Sequence, residues 1–345
     1  VTNGYVSLWA IADDDVTLHC APLGRDGSLR ARPVAVSPSG SDAVRAELSS
    51  FGDRVVVTWV AFHRNPQFTT TPMWAVVNKD CAVLRPASPV GFEGRLHLRA
   101  RVAFDGERAA FVARGLDRDA RAQLVILALD GAVISKQTIA GDQRGLFEAV
   151  TTTDRGFLVA FEEFDFSRSK SKLRTALFSS TGTRIQTGLL RPFNGPVGYL
   201  EFATGSERGL SWGEDGLFLG SRYEPMFARV RSGEAQSPVR ISERSTTSVP
   251  SVACNARGCL HGSIRVGPEE TAQPRFTTEF RDIDGRVERG PTEHAVSRVA
   301  LWHPPSIAAS ADGTSFLALA LTGDALYAQR FDHSGRPQGS PVTLH

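Results

Sequence analysis

The chain has 345 residues, 41% hydrophobic and 22% charged, and its 39 basic and 37 acidic residues leave a formal charge of +2. That composition excludes a disordered chain, and the charge balance excludes nucleic acid as the default partner. No apolar run approaches the roughly 20 residues needed to cross a bilayer as a helix, so no transmembrane segment is expected.

Read from the N-terminus, two turn landmarks recur. Gly4 precedes an apolar run at Val6–Ile11, and a second turn follows at Gly27 with a Pro33-Val34 edge. Gly52, the run Val55–Val60, Cys81 in place of a turn glycine, and Pro89-Val90 repeat the order. Gly106, Ala109–Val112 and Gly131 form a third copy, and Gly156, Phe157–Phe161 and Gly182 a fourth. Gly216, Gly233 and Pro238-Val239 mark the fifth, and Gly258 and Gly285 the sixth. The seventh is the clearest: a strand from Ser306, the turn Asp312-Gly313, strands Ser315–Leu321 and Leu326–Phe331, the turn Ser334-Gly335 and a last strand Ser340–Leu344. The second landmark recurs every 50 to 54 residues, and the first averages about the same period. Glycine at such turns supplies the positive φ a hairpin needs. Proline at the closing edge suits an outer strand with no partner for the missing N–H.

Seven units of about 50 residues, each a four-stranded meander, predict an all-β, seven-bladed β-propeller. One unit is too small to hold a two-sheet core of its own. The expected blades span about 1–40, 41–93, 94–142, 143–195, 196–243, 244–298 and 299–345 of one propeller domain. Val1–Gly4 corresponds to the end of a first strand and its turn, so blade 1 is expected to lack its innermost strand. The chain closes on the fourth strand of blade 7, which leaves no C-terminal strand to complete blade 1. Position 1 is Val rather than Met, which reads as a processed or trimmed form.

The segments Leu326–Leu344 and Pro250-Ser-Val-Ala-Cys-Asn-Ala-Arg-Gly-Cys-Leu260 resemble the repeats of secreted or lipid-anchored bacterial β-propeller-like proteins. The resemblance is clearest in copies 6 and 7 and fades through copies 2 to 5. It implies an exported protein, secreted, periplasmic or attached to the outer surface, with a lipid anchor upstream as one arrangement. It implies no activity, because such repeats specify a scaffold. Cys254 and Cys259 face each other across a hairpin turn and are expected to form a disulfide in an exported protein. Cys20 and Cys81 either pair across neighbouring blades or remain buried thiols.

The innermost strands should alternate between two faces. Counted back from the turn glycine, blades 2 and 3 place Arg45, Glu47, Arg99 and Arg101 at positions that are small or polar elsewhere. Three Arg on adjacent inner strands suit an axial anion site; the competing reading is a structural ion pair in which Glu47 answers an Arg. In blade 5 the same count puts Leu210 and Trp212 on the innermost strand and leaves Tyr199 and Glu201 in a loop between blades.

One end of the ring carries the loops between strands two and three and the connections between blades. Candidate ligand-binding residues there are His63, Arg64, His97, Glu162, Asp165, Arg222, Tyr223, Trp302 and His303. Aromatic, His and carboxylate groups over one opening suit a glycan or peptide; the alternative is a solvated rim. No nucleophile elbow, phosphate loop or spaced His ligands occur, so no cofactor or metal is expected. The expected function is a monomeric, non-enzymatic binding or scaffolding propeller for a protein or cell-surface glycan. The alternative is a secreted carbohydrate-active hydrolase or lyase using carboxylates from different blades.

Overall fold

The computed structural model describes residues 4–12, 16–40, 42–63, 69–93, 97–115, 121–139, 148–165, 168, 170–194, 200–205, 208–214, 224–231, 234–235, 238–240, 251–265, 275–282, 284–294, 296, 305–322 and 325–344. They form seven sheets in chain order, the blades of a propeller. Blade 1 has three strands, β1 (Tyr5–Ala12), β2 (Val16–Leu23) and β3 (Val34–Ala35). Blade 2 holds β4 (Asp42–Phe51), β5 (Arg54–His63), β6 (Thr69–Asn78) and β7 (Val83–Pro89). Blade 3 holds β8 (His97–Phe104), β9 (Arg108–Gly115), β10 (Ala122–Ala128) and β11 (Val133–Thr138). Blade 4 holds β12 (Glu148–Thr153), β13 (Gly156–Asp165), β14 (Lys170–Phe178) and β15 (Arg184–Asn194).

Blade 5 is built from β16 (Leu200–Phe202), β18 (Arg208–Glu214), β19 (Glu224–Arg231), β20 (Glu234–Ala235) and β21 (Val239–Arg240). Between its first two strands, β17 (Thr204–Gly205) crosses to blade 6 and pairs in parallel with its innermost strand. Blade 6 continues with β22 (Ser251–Cys254), β23 (Gly258–Arg265), β24 (Arg275–Asp282) and β25 (Val287–His294). Blade 7 is β26 (Ser306–Ala309), β27 (Ser315–Thr322), β28 (Ala325–Asp332) and β29 (Pro337–Leu344). The pairing within each meander is antiparallel.

The core lies between blades. Successive side chains of a strand point to opposite faces, and a middle strand of a blade has a neighbour on each face. Ala110 and Val112 of β9 therefore pack toward blade 4 with Val150, Phe157 and Val159. Ala109 and Phe111 pack toward blade 2 with Val56, Trp74 and Val76. This is why second strands read as continuous apolar runs rather than alternating ones, while the outer strands β7, β11 and β25 are largely exposed.

The repeat is stamped most clearly in the turn between the third and fourth strands. In six blades the first residue of a five-residue turn donates its N–H to the carbonyl of the fifth, and the fourth donates to the carbonyl of the first. The fourth residues are Gly27, Cys81, Gly131, Gly182, Gly285 and Gly335, with φ between +64 and +93°. Cys81 holds a conformation L residues avoid, and its sulfur is bonded to Cys20 of blade 1, with Cα atoms 5.8 Å apart. The second bridge, Cys254–Cys259, spans the β22–β23 hairpin as expected. Gly4 confirms the frame of blade 1. A Cβ there would lie 2.1 Å from Leu23 O, as at Gly156 against Phe178 O, so β1 is a second strand.

Two seams have small apolar clusters. Between blades 5 and 6 it comprises Ala203, Phe227, Val252 and the Cys254–Cys259 bridge. Between blades 7 and 1, where the ring closes, Tyr5, Leu23, Leu317 and Ala328 meet. There Tyr5 Oη lies 3.1 Å from Ser315 Oγ in a buried contact, and Arg25 Nη2 donates to Asp312 Oδ2 at 2.9 Å.

The expected layout of blade 5 needs correction. Leu210 and Trp212 lie on β18, the second strand, and β16 is the innermost one. Alternation marks a two-faced strand without saying which strand of the blade it is. Gly205, which ends β17 in the connection between β16 and β18, also falls midway between Gly156 and Gly258 better than Gly216 does.

Candidate functional site

The inner strands β4, β8, β12 and β16 enter the axis from the connections between blades, at the end where the hairpins between second and third strands also lie. At that entry end the sequence places Arg and Glu among residues that are otherwise small or apolar. Two of these strands are irregular there: pairing slips between Val44 and Glu47 of β4 and between His97 and Ala100 of β8. Arg45, inside the first slip, has φ +53°. An L residue held in that region reflects a backbone constrained by its surroundings.

Glu47 is the hub. Its Oε1 accepts from Arg99 Nε at 2.8 Å and from Arg101 Nη1. Arg101 is buried, and it also donates through Nη2 to the carbonyl of Leu200 at 2.7 Å and through Nε to that of Glu148 at 3.2 Å. One guanidinium thus ties the entry ends of blades 2, 4 and 5 to its own blade 3. Behind it Arg114 Nε donates to Glu148 Oε1 at 2.7 Å, with both side chains less than a tenth exposed. Arg114 Nη2 is buried with no partner among the described residues.

Burial sets the proton affinities. It lowers Arg101, and the like charge of Arg99 lowers it further, against Glu47 and Glu201. Burial raises Glu148 against the opposing pull of Arg114, and raises Glu201 against Arg101 and Arg99. Arg45 is lowered first by partial burial and then by Arg99. Such costs are tolerated where ionised groups are paired and hydrogen-bonded.

The structure therefore joins Arg99 and Arg101 over Glu47, as the ion-pair reading requires, and enlarges the group with Arg114, Glu148 and Glu201. Sequence reasoning missed these three. Glu148 precedes the apolar pair Ala149-Val150 at the head of its strand, which was the available signal. Arg114 sits on a second strand, outside the inner-strand count, and Glu201 was assigned to a loop.

The candidate loop residues divide. His63 ends β5, half-buried, paired with Thr69. His97 opens β8 opposite Gly115, and its side chain lies outside the described residues. Glu162 is inside β13 rather than in a loop, with no exposure, and accepts from Ser171 Oγ at 2.8 Å. Glu163, one residue on, takes the opposite face and accepts from Arg174 Nε at 2.6 Å. Asp165 closes β13 and lies 3.8 Å from Arg168. Arg64, Arg222, Tyr223, Trp302 and His303 lie outside the described residues.

No family model and no curated protein matches the sequence. Solved structures match the fold. The BP39L lectin from Burkholderia pseudomallei superposes with a TM-score of 0.58 at 10% identity, over 100% of this chain and 99% of that one. A puromycin hydrolase, in an S511A mutant complex with PGG, gives 0.57 at 14% identity over 99% of this chain and 53% of that one. Prolyl oligopeptidase B from Galerina marginata gives 0.54 at 12% identity, over 100% of this chain and 51% of that one. The chain thus spans about half the length of these hydrolases. At such identities the likeness is one of fold.

Proposed function

We propose that this protein is an exported binding propeller. It recognises a protein or a cell-surface glycan at the loop-rich end of the ring and performs no chemistry of its own. The observation that carries this reading is the commitment of the axial carboxylates Glu47 and Glu148. Glu47 is held by Arg99 and Arg101, and Glu148 by Arg114, so the entry end is a rigid, charge-paired surface suited to recognition. Two disulfides fit an oxidising compartment, secreted, periplasmic or at the outer surface. Among the described residues no helix is long and apolar enough to cross a membrane. The chain acts as a monomer, and its near-neutral charge disfavours nucleic acid.

A glycan array and a cell-surface pull-down with the intact chain test this. The Tyr223→Ala/Trp302→Ala/His303→Ala variant is the control for the loops. Specific binding lost in the variant supports the reading; equal binding by both moves the site away from these loops, and no binding in either assay overturns it. A second reading, a carbohydrate hydrolase or lyase, draws on Glu201 of blade 5, whose carboxyl is raised by burial beside the Arg-paired Glu47 of blade 2. Two carboxyls in unlike environments are what acid–base chemistry uses. Turnover of an oligosaccharide, abolished by Glu201→Gln, would establish it.

A further inference from the structure

We propose that the seam between blades 5 and 6 is an acid-opened joint: His261 keeps it shut while neutral, and parts the two blades when it takes up a proton. The inference concerns how the ring responds to its surroundings, and it stands whatever the loops bind.

The repeat marks His261 as out of place. It is the fourth residue of its second strand, β23, and the same place in β5, β9, β13 and β27 holds Val57, Phe111, Val159 and Ala318. Each of those four is fully buried and packs toward the preceding blade. His261 faces blade 5 in the same way, because Cys259, two residues before it, belongs to the blade 5–6 cluster while Leu260 packs toward blade 7. It is buried, and the ring of Phe227 from blade 5 meets it at 87° with centroids 5.3 Å apart. Gly209 makes room for that ring, since a Cβ there would lie 2.1 Å from it. Neither nitrogen of His261 has a hydrogen-bond partner among the described residues. Its neighbours on the same face do. The hydroxyls of Ser263 and Thr277 lie 3.0 Å apart, and Arg281 donates from Nε to Glu279 Oε1 at 2.6 Å and from Nη1 to the carbonyl of Gly285 at 2.8 Å.

A neutral imidazole is tolerated there and an imidazolium is not. Burial, and then the charge of Arg281, lower His261 from 6.5 to about 3. Glu279, opposite it in register, already accepts from Arg281. The other charged groups on this face are Arg229 of β19 and, farther along β24, Arg275, which pairs with Glu293 of β25. The strands β17 and β22 and the described side chains of β18 bring no titratable group to it. A proton is therefore accommodated only when water reaches the ring. This seam is also a thin one. Its apolar cluster is Ala203, Phe227, Val252 and the Cys254–Cys259 bridge, and its backbone link is the two-residue pairing of β17 with β22. The seam between blades 3 and 4 instead interleaves Phe157, Phe161 and Phe178 with Val112, Leu124 and Ile126. Because the shut form binds the proton more weakly than the open one, the seam stays shut above pH 6.5. Below that value opening gains by up to about tenfold for each pH unit.

The two disulfides report the opening. Cys254–Cys259 lies in this seam, and Cys20–Cys81 lies in the seam between blades 1 and 2. The intact chain is treated with a phosphine reductant from about pH 7 to about pH 4.5, alkylated and read by mass spectrometry. The ratio of the two reduction rates cancels the reagent's own response to pH. That ratio, Cys254–Cys259 over Cys20–Cys81, should rise at least about tenfold between about pH 6.5 and about pH 4.5, while circular dichroism stays native. It should stay flat in His261→Leu, which puts an apolar side chain where four other blades have one. It should rise as in the wild type in His294→Leu, which removes the buried histidine packed on Tyr327 and Phe331 of blade 7. If His261→Leu does not fold, amide exchange in the wild type decides. Corrected for intrinsic rates, Thr204, Gly205, Ala253 and Cys254 should lose protection in acid ahead of the paired residues of β9 and β10. A ratio indifferent to pH, an equal rise in His261→Leu, or retained protection at those four amides overturns the inference. So does reduction of both bridges in step, which would mark global unfolding instead of a parted seam.

Discussion

Replacing Cys20 and Cys81 together with Ala should cost more than replacing Cys254 and Cys259. The first bridge closes a loop with a sequence separation of 61 and joins blade 1 to blade 2, whereas the second has a separation of 5 within one hairpin. Loop-closure entropy then assigns about 4 kcal/mol to the first and about 2 kcal/mol to the second. With an unfolding entropy of about 2.1 cal/mol/K per residue, these correspond to losses in Tm of about 6 °C and about 3 °C. The strained turn adds a finer expectation. Cys81 pays for its φ of +64° only because it carries the bridge. Once the bridge is gone, Cys20→Ala/Cys81→Gly should be more stable than Cys20→Ala/Cys81→Ala by about 1 kcal/mol, since glycine accepts that conformation. Differential scanning calorimetry of the four proteins, with reductant added to the wild type as a fifth sample, measures all of this. Equal losses for the two bridges, or a glycine variant less stable than the alanine one, would refute the reasoning.

Other expectations follow from the same contacts. His261 and His294 are buried, and burial lowers them to about 3 and about 4. The unfolded chain therefore binds more protons below pH 6.5. Stability should be fully present above that value and fall by up to about 1.4 kcal/mol per pH unit per histidine toward pH 4. The slope of urea midpoint against pH should shrink in His261→Phe, and an unchanged slope would contradict the assignment. Asp312 behaves with the same sign at lower pH. Hydrogen bonds from Ser310 and Thr314 depress it, so its contribution is present above about pH 4 and is lost as pH falls further, a loss that Ser310→Ala should reduce in acid melts. Arg101→Met leaves Glu47 on Arg99 alone and deprives the buried carbonyls of Glu148 and Leu200 of their side-chain donor, and should cost about 1–3 kcal/mol in urea unfolding, whereas Arg99→Gln should cost about 1 kcal/mol or less. At the ring closure, Tyr5→Phe should cost about 1 kcal/mol, because it leaves the buried Ser315 hydroxyl short of one partner.

Much of the fold was legible because its determinants are local. A turn that needs positive φ at its fourth residue writes Gly at a fixed interval. That interval survives even where Cys81 replaces the glycine, since the backbone demand remains. Second strands buried on both faces read as near-continuous apolar runs, such as Val55–Val60, interrupted only by Thr58, and Phe157–Phe161. The hairpin bridge Cys254–Cys259 was equally readable, because a short turn by itself brings the two residues together. Each of these features is set within one blade, and seven repetitions amplify a weak signal into a strong one.

What only the tertiary structure decided involves residues from different blades. The partner of Cys20 depends on how blade 1 sits against blade 2, and no spacing within either blade encodes it. Glu201 read as a loop residue because alternation in Gly209–Trp212 is common to every strand, and only pairing shows that β16 is the inner one. Arg101 reaches Glu47, Glu148 and Leu200 across separations of 54, 47 and 99 residues. Burial then makes that contact matter: removed from water, a guanidinium must find every acceptor it needs, and the ring alone supplies them. The chain thus declared its scaffold through short-range backbone geometry, while the charged centre of the scaffold emerged only when the ring brought distant blades together.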